Sequence, residues 1–126
     1  MSASARPRRL LLTAALISSS LFSACHSYHI DATLENRTGA PIQLLEVDYP
    51  SASFGVDSLA AGADFHYRFQ VRGAGPLKIS YTAANGQMVQ ISGPNLAEGQ
   101  QGTLEIVLEP GGKAEIAPHL SPSAGR

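Results

Sequence analysis

Short runs of the chain alternate apolar and polar side chains, the pattern of β-strands that bury one face. The strongest run spans residues 65–72, where aromatic and aliphatic side chains share one face and His66, Arg68 and Arg72 share the other. The runs therefore predict strands rather than helices. Similar alternation is present at residues 28–35, 77–82 and 103–109.

Residues 42–49 also alternate, but the phase of the alternation slips between Leu44 and Leu45. A β-bulge at this pair would restore the phase, because it adds one unpaired residue to the strand. The sequence therefore predicts a bulged strand. Its outward-facing polar side chains would be Gln43, Glu46 and Asp48.

Two turn sequences predict hairpins. Asn85-Gly86 is the preferred dipeptide of a two-residue hairpin loop, and it would pair residues 77–82 with Met88–Ser92. Pro110-Gly111-Gly112 predicts a second hairpin, which returns the chain through residues 113–116.

Three segments interrupt the alternation. Gly55 divides residues 53–57, which we expect to form a short or irregular edge. Gly93-Pro94 is expected to end the strand that begins at Met88. Residues 118–126 are rich in Ser, Pro and Gly and have no apolar period, so they are predicted to be a loose, disordered tail.

Seven to eight short strands separated by turns predict an all-β fold. The expected architecture is an antiparallel immunoglobulin-like β-sandwich over residues 28–117, and a chain of 126 residues leaves room for one such domain. The predicted inward-facing side chains are Leu34, Val47, Tyr49, Phe65, Tyr67, Phe69, Ile79, Tyr81, Ile91, Leu104, Ile106 and Leu108.

The first 24 residues differ in composition from the rest of the chain. Arg6, Arg8 and Arg9 precede an apolar stretch from Leu10 to Ala24, which is the layout of a secretory signal peptide. A membrane-spanning helix needs about 20 mostly apolar residues, more than this stretch supplies. A cleaved signal is therefore favoured over the alternative, a permanent transmembrane anchor.

The apolar stretch ends in Leu21-Phe22-Ser23-Ala24-Cys25, which resembles the lipobox of bacterial lipoproteins. The resemblance implies that the signal, residues 1–24, is cleaved before Cys25, and that Cys25 carries diacylglycerol and an acylated amino terminus. Residues 25–27 would then be the lipidated anchor and linker. The chain has one cysteine and so cannot form an internal disulfide, which agrees with a modified thiol. The alternative is an incidental Cys25 in a signal that is cleaved elsewhere.

The resemblance also implies a location. Two or three acyl chains hold a protein firmly at a membrane, whereas one chain binds reversibly. In enterobacterial lipoproteins an aspartate directly after the cysteine favours the inner membrane, and this chain has His26 there. We therefore expect a protein anchored by lipid to the outer membrane and facing the periplasm.

Charge excludes one class of partner. Three of the nine basic side chains lie in the signal, which leaves six basic against ten acidic side chains in the rest of the chain. Nucleic-acid binding needs a dense basic surface, so we expect no nucleic-acid partner.

His66, Arg68 and Arg72 form a basic row on this otherwise acidic body. One interpretation is cross-strand pairing with an acidic residue such as Glu46 or Glu105. The other is recognition of an anionic envelope component, because guanidinium groups bind carboxylate and phosphate in a bidentate manner. These three residues are the candidate partner-binding residues.

Motifs that carry catalysis are missing from the sequence. It has no Gly-x-Ser-x-Gly and no glycine-rich phosphate-binding loop. His26 and His29 are two imidazoles, whereas a zinc site needs three or four ligands, so we expect no metal and no cofactor. These features favour a non-catalytic binding or structural module with an envelope component or protein as partner. The alternative is a small envelope enzyme with an unrecognised site.

Overall fold

The computed structural model describes residues 28–122, which form two four-stranded sheets packed face to face. The predicted all-β sandwich is confirmed, and no helix that could span a membrane occurs in the described part of the chain. The first sheet has the strand order β4-β1-β7-β8 and the second has β3-β2-β5-β6. The strands are β1 (Ile30–Asn36), β2 (Ile42–Tyr49), β3 (Ala52–Leu59), β4 (Asp64–Phe69), β5 (Gly75–Thr82), β6 (Met88–Leu96), β7 (Gln101–Glu109) and β8 (Lys113–Ser121).

One pair of neighbouring strands departs from the predicted antiparallel arrangement. β1 and β7 run parallel, and Leu34 on β1 pairs with Ile106 on β7. Parallel neighbours need a long connection, which here consists of all the strands between them in the sequence. The first sheet is therefore mixed, whereas the pairs within the second sheet are antiparallel.

Successive strands run in opposite directions between two ends of the sandwich. The near end is where β1 begins, with Ile30 beside Phe69 and Gly102 of its two neighbours. The far end is where β1 finishes. Because each strand reverses the last, four connections lie at the far end, namely residues 37–41, 60–63, 83–87 and 110–112.

The predicted inward face is correct at most positions. Leu34, Leu104 and Leu108 of the first sheet are fully buried, and so are Val47 and Ile79 of the second. Tyr67 is an exception, since 42% of its surface is exposed. It lies on edge strand β4, where its ring stacks on Phe54 of β3 with the centroids 4.4 Å apart. Three other predicted core side chains are only partly buried, namely Tyr49, Phe65 and Ile91.

The predicted bulge in β2 is confirmed. The pairing of β2 with β5 shifts register between Gln43 and Glu46, and Leu44 adopts a positive φ of 53° with its side chain exposed. On the other side of β2, a Cβ atom on Gly55 would collide with the carbonyl oxygen of Leu45. Gly55 therefore permits close pairing at the bulge rather than interrupting β3. β3 is an edge strand, as expected, but it runs without interruption for eight residues, so the expectation of a short or irregular segment at residues 53–57 was wrong.

Two strands continue through prolines that were expected to end them. β6 passes Gly93-Pro94 and continues to Leu96, and β8 includes Pro118 and continues to Ser121. Each is an edge strand with one unpaired side, and edge strands tolerate proline because a backbone N–H on that side has no ladder partner to lose. The predicted tail is thus wrong for residues 118–121, while residues 123–126 lie outside the described part.

The hairpin loop at Asn85-Gly86 is longer than the predicted two residues. Ala83 donates its backbone N–H to the carbonyl of Gln87, and Gly86 donates to the carbonyl of Ala83. Gly86 has a φ of 85°, whereas the Asn85 side chain accepts a hydrogen bond from the Gln87 N–H at 3.0 Å. Only the glycine takes the left-handed conformation, which is typical of a three-residue loop.

Candidate functional site

The structure divides the predicted basic row. β4 ends at Phe69, so Arg72 lies beyond the strand, in the connection that leads to β5 at the near end. The physical reason is that Phe69 pairs with Ile30, the first residue of β1, and β4 has no partner beyond that point. His66 and Arg68 remain on β4 with exposed side chains.

The partners of His66 and Arg68 come from β1. Arg68 lies 3.6 Å from Asp31, measured from Nε to Oδ1, and His66 Nδ1 lies 3.0 Å from the Thr33 hydroxyl oxygen. Arg68 therefore pairs across strands with an acidic residue, as one interpretation expected, but the examples given for that residue were wrong. Glu46 belongs to the other sheet, and Glu105 lies on β7, beyond β1. Both side chains of the Arg68–Asp31 pair are mostly exposed, so water screens their attraction.

Among the charged side chains on the strands of the first sheet, acidic ones outnumber basic ones. Only Arg68 and Lys113 supply positive charge on these strands. An anionic partner that approached Arg68 would therefore meet an acidic surface. The carboxylates of this surface are Asp31, Glu35, Asp64, Glu105, Glu109 and Glu115.

A cavity of 460 Å³ lies at the far end of the sandwich. Two hairpin loops, β5–β6 and β7–β8, line this open cavity together with the connection from β1 to β2. We call it the far-end cavity. Its lining residues are Thr38, Ala40, Ile42, Tyr81, Ala83, Ala84, Asn85, Gln87, Val89, Glu109, Pro110, Gly111 and Gly112.

Asn36 holds the rim of the far-end cavity in place. It is the buried polar residue at the end of β1, and its Nδ2 donates to the carbonyls of Ala40 at 2.9 Å and Leu59 at 3.0 Å. Its Oδ1 accepts from the backbone N–H and the hydroxyl of Thr38, at 3.0 and 2.7 Å. Thr38 is thereby fixed where it lines the cavity. Asn36 was not among the candidate site residues predicted from the sequence.

Tyr81 contributes an unusual polar group to the far-end cavity. Its side chain is 2% exposed, yet its hydroxyl has no hydrogen-bond partner among the described residues. No fully enclosed side-chain nitrogen or oxygen within the described residues lacks a partner, so this hydroxyl must reach solvent. Burial raises the pKa of Tyr81, which keeps the hydroxyl protonated as a donor. The sequence identified Tyr81 as a core residue but gave no sign of this role.

The charge of the cavity lining comes from Glu109. No lysine, arginine or histidine lines the cavity, and the remaining polar side chains are the neutral groups of Thr38, Tyr81, Asn85 and Gln87. Lys113 pairs with Glu109 across the β7–β8 hairpin but does not line the cavity. The arrangement combines hydrogen-bonding groups and one carboxylate with an apolar wall that includes Ile42 and Val89.

Metal-ligand side chains do not cluster in residues 28–122, where no group of three or more His, Cys, Asp or Glu could hold an ion. The predicted lipidation residue, Cys25, lies outside the described residues, as does His26.

The comparison with known proteins shows a similarity of fold and nothing further. No protein-family model and no curated protein matches this chain. A solved NMR structure of a protein from Eubacterium rectale is similar to it, with a TM-score of 0.52 and 12% sequence identity. The match covers 72% of this chain and 88% of that chain. At this identity the chain is similar to the Eubacterium rectale protein in its β-sandwich architecture.

Proposed function

We propose that this chain is a lipoprotein of the bacterial cell envelope, anchored by lipid on Cys25, whose sandwich is a non-catalytic binding module. The far end of the sandwich is its binding end and faces away from the membrane. The support comes from the lipobox-like residues 21–25 and from the position of the first strand relative to Cys25.

The spacing between Cys25 and β1 carries the proposal. Ile30 begins β1 five residues after Cys25, and five residues span at most about 18 Å when fully extended. A lipid on Cys25 would therefore hold the near end of the sandwich close to the headgroups. Because the strands run from the near end to the far end, the far-end connections would then be the part most accessible to a partner in the periplasm.

The outer membrane is the proposed location, since His26 rather than aspartate follows Cys25. The two membranes can be separated by density after cell lysis. Recovery of the protein with the inner membrane would contradict this part of the proposal.

The anchor is tested by the variant Cys25→Ser with Ser27→Ala as the control. Cys25→Ser should release the protein from membranes, and Ser27→Ala should remain bound. Intact-mass measurement of the wild type should show a chain that begins at Cys25 and carries lipid. An unmodified thiol, or a Cys25→Ser variant that stays on the membrane, would contradict the proposal.

The orientation is tested with a photo-crosslinking amino acid at two exposed positions. Ala84 lies in the β5–β6 loop at the far end, and Ser51 lies in the β2–β3 turn at the near end. In intact cells we expect position 84 to give adducts with periplasmic partners and position 51 to give adducts with lipid. The reverse pattern would show that the near end is the binding end.

A further inference from the structure

Tyr81 is 2% exposed, and its hydroxyl, which reaches solvent, has no hydrogen-bond partner within residues 28–122. Buried polar groups are nearly always hydrogen-bonded, because removing them from water without a partner costs free energy. Asn36, at the same end of the fold, follows this rule, since its donors and acceptor are all engaged. A donor held at the edge of a cavity is available to a ligand.

The volume and lining of the far-end cavity suit a small molecule. Its volume of 460 Å³ lies within the range of about 300 to 1,000 Å³ that is usual for ligand sites. Such sites combine an apolar wall with a few converging polar groups. Here Ile42 and Val89 supply apolar surface, while the amides of Asn85 and Gln87 lie on the loop above them. These two side chains are 3.3 Å apart, from Nδ2 to Oε1.

The charge of the cavity selects among small molecules. Glu109 is the charged residue in the lining, and other carboxylates of the first sheet, Glu35 and Asp64, lie toward the same end. Two cations are near: Lys113 pairs with Glu109 in the hairpin, and Arg37 is held by Glu35 at 2.6 Å. Neither cation lines the cavity. Arg37 and Lys113 attract Glu109 from outside the lining, but an anionic ligand would meet no positive side chain in the lining itself, whereas a protonated amine would pair with the Glu109 carboxylate.

We propose that the far-end cavity binds a small hydroxylated amine. The amine would donate to the Glu109 carboxylate, and a ligand hydroxyl would accept from Tyr81. Amino-sugar units of envelope polymers and free amino sugars share this chemistry. The inference deepens the proposed function and rests on it, because it assigns a ligand to the end that faces the periplasm.

The test uses two-dimensional NMR of the ¹⁵N-labelled full chain in detergent micelles, titrated at a pH below the pKa of the ligand amine. Glucosamine is the probe, glucose lacks the amine, and 1,4-diaminobutane lacks the hydroxyls. We expect glucosamine to shift the far-end amides, those of residues 83–87, 111 and 112, at lower concentrations than either other probe. A chitosan oligomer then distinguishes an amino-sugar unit of a polymer from a free amino sugar as the ligand. If the oligomer binds more tightly than glucosamine, the ligand is an amino-sugar unit of a polymer. If the two bind equally per amine, the ligand is the free sugar.

Three variants assign the contacts. Glu109→Gln should weaken glucosamine binding about tenfold, because a hydrogen bond to a charged group is lost, and should leave glucose binding unchanged. Tyr81→Phe should weaken the binding of glucosamine and of glucose alike. Glu115→Gln removes an exposed carboxylate on β8, outside the cavity lining, and should behave as the wild type.

Two results would overturn the inference. The first is no shift of the far-end amides with glucosamine while the wild-type chain is folded by its NMR spectrum. The second is equal binding of glucose and glucosamine with no effect of Glu109→Gln. Either result can occur while Cys25 is lipidated and position 84 still crosslinks to a partner, so failure here is distinguishable from failure of the proposed function.

Discussion

Asn36 donates a hydrogen bond from Nδ2 to the carbonyl oxygen of Leu59 at 3.0 Å, and this bond joins the two sheets at the far end. Asn36 is the last residue of β1 in the first sheet, and Leu59 is the last residue of β3 in the second. The same amide also contacts the carbonyls of Ala40 and Ala60. One side chain thus fixes two of the four far-end connections.

Replacement of Asn36 by Ala should destabilise the fold by about 1 to 3 kcal/mol, because buried carbonyl oxygens lose their donor. The urea midpoint of unfolding measures the loss. Asn95→Ala is the matched control, since Asn95 is exposed on edge strand β6, and its midpoint should be close to that of the wild type. Equal midpoints for the two variants would contradict the role given to Asn36.

Gly55→Ala should destabilise the fold by about 1 to 3 kcal/mol, the usual cost of overpacking. The added methyl group would meet the carbonyl oxygen of Leu45, which belongs to the neighbouring strand and cannot move like a side chain. Gly75→Ala is the control, because its methyl group would make an ordinary 3.4 Å contact with Pro50. If thermal unfolding found the two variants equally stable, the close pairing of β2 and β3 at the bulge would be wrong.

The double variant Arg68→Gln and Arg72→Gln tests recognition of an anionic envelope component. Arg68 lies beside Asp31, and Arg72 lies in another segment, so we expect retention on anionic cell-wall material to be unchanged. The measurement is made at low salt with Cys25→Ser in the background, so that lipid does not mask the effect. Retention that falls on substitution and also falls with added salt would support an anionic partner at these residues instead.

Stability should decrease at alkaline pH. Burial raises the pKa of Tyr81 and is also the main cause that raises the pKa of Tyr49, to which the nearby Tyr67 adds. A tyrosine whose pKa is raised by folding stabilises the fold below its unfolded pKa of about 10, and that contribution is lost as the pH rises through the folded pKa.

The measurement is the urea midpoint between pH 8 and pH 11. The wild type should lose stability above about pH 10, and Tyr81→Phe and Tyr49→Phe should each make the loss shallower, because phenylalanine has no proton to release. A variant whose urea midpoint falls with pH as steeply as that of the wild type would show that the substituted tyrosine does not contribute to the loss of stability.

Local pattern predicted much of the sandwich. Alternation located the buried side chains of β1 and β7, and the phase slip at Leu44 and Leu45 located the bulge, because these signals depend on one strand and its two faces. The prolines misled the prediction, since Pro94 and Pro118 lie on the edge strands β6 and β8, where proline is tolerated. Edge position depends on the pairing of distant segments, which periodicity does not report.

The candidate site was less predictable than the fold. Asn85-Gly86 and Pro110-Gly111-Gly112 were identified as turns, yet their approach to each other depends on the packing of two sheets. Tyr81 was correctly placed in the core, but an unpartnered hydroxyl follows from its three-dimensional surroundings alone. The place of Arg72 was mispredicted for a similar reason, because the length of β4 is set by where its partner β1 begins.

The position of β1 between β4 and β7 also has a mechanical consequence. A pull on Cys25, directed away from a partner held at the far end, would run along β1 and load two ladders of hydrogen bonds at once. Those bonds lie across the strand direction, so they would have to break together in shear rather than one after another. Single-molecule pulling from residue 25 and from an attachment at residue 84 should therefore meet a high rupture force, lowered when pairing with β4 is weakened. The strand nearest the lipid would then be the one best suited to carry tension between the membrane and whatever the far end holds.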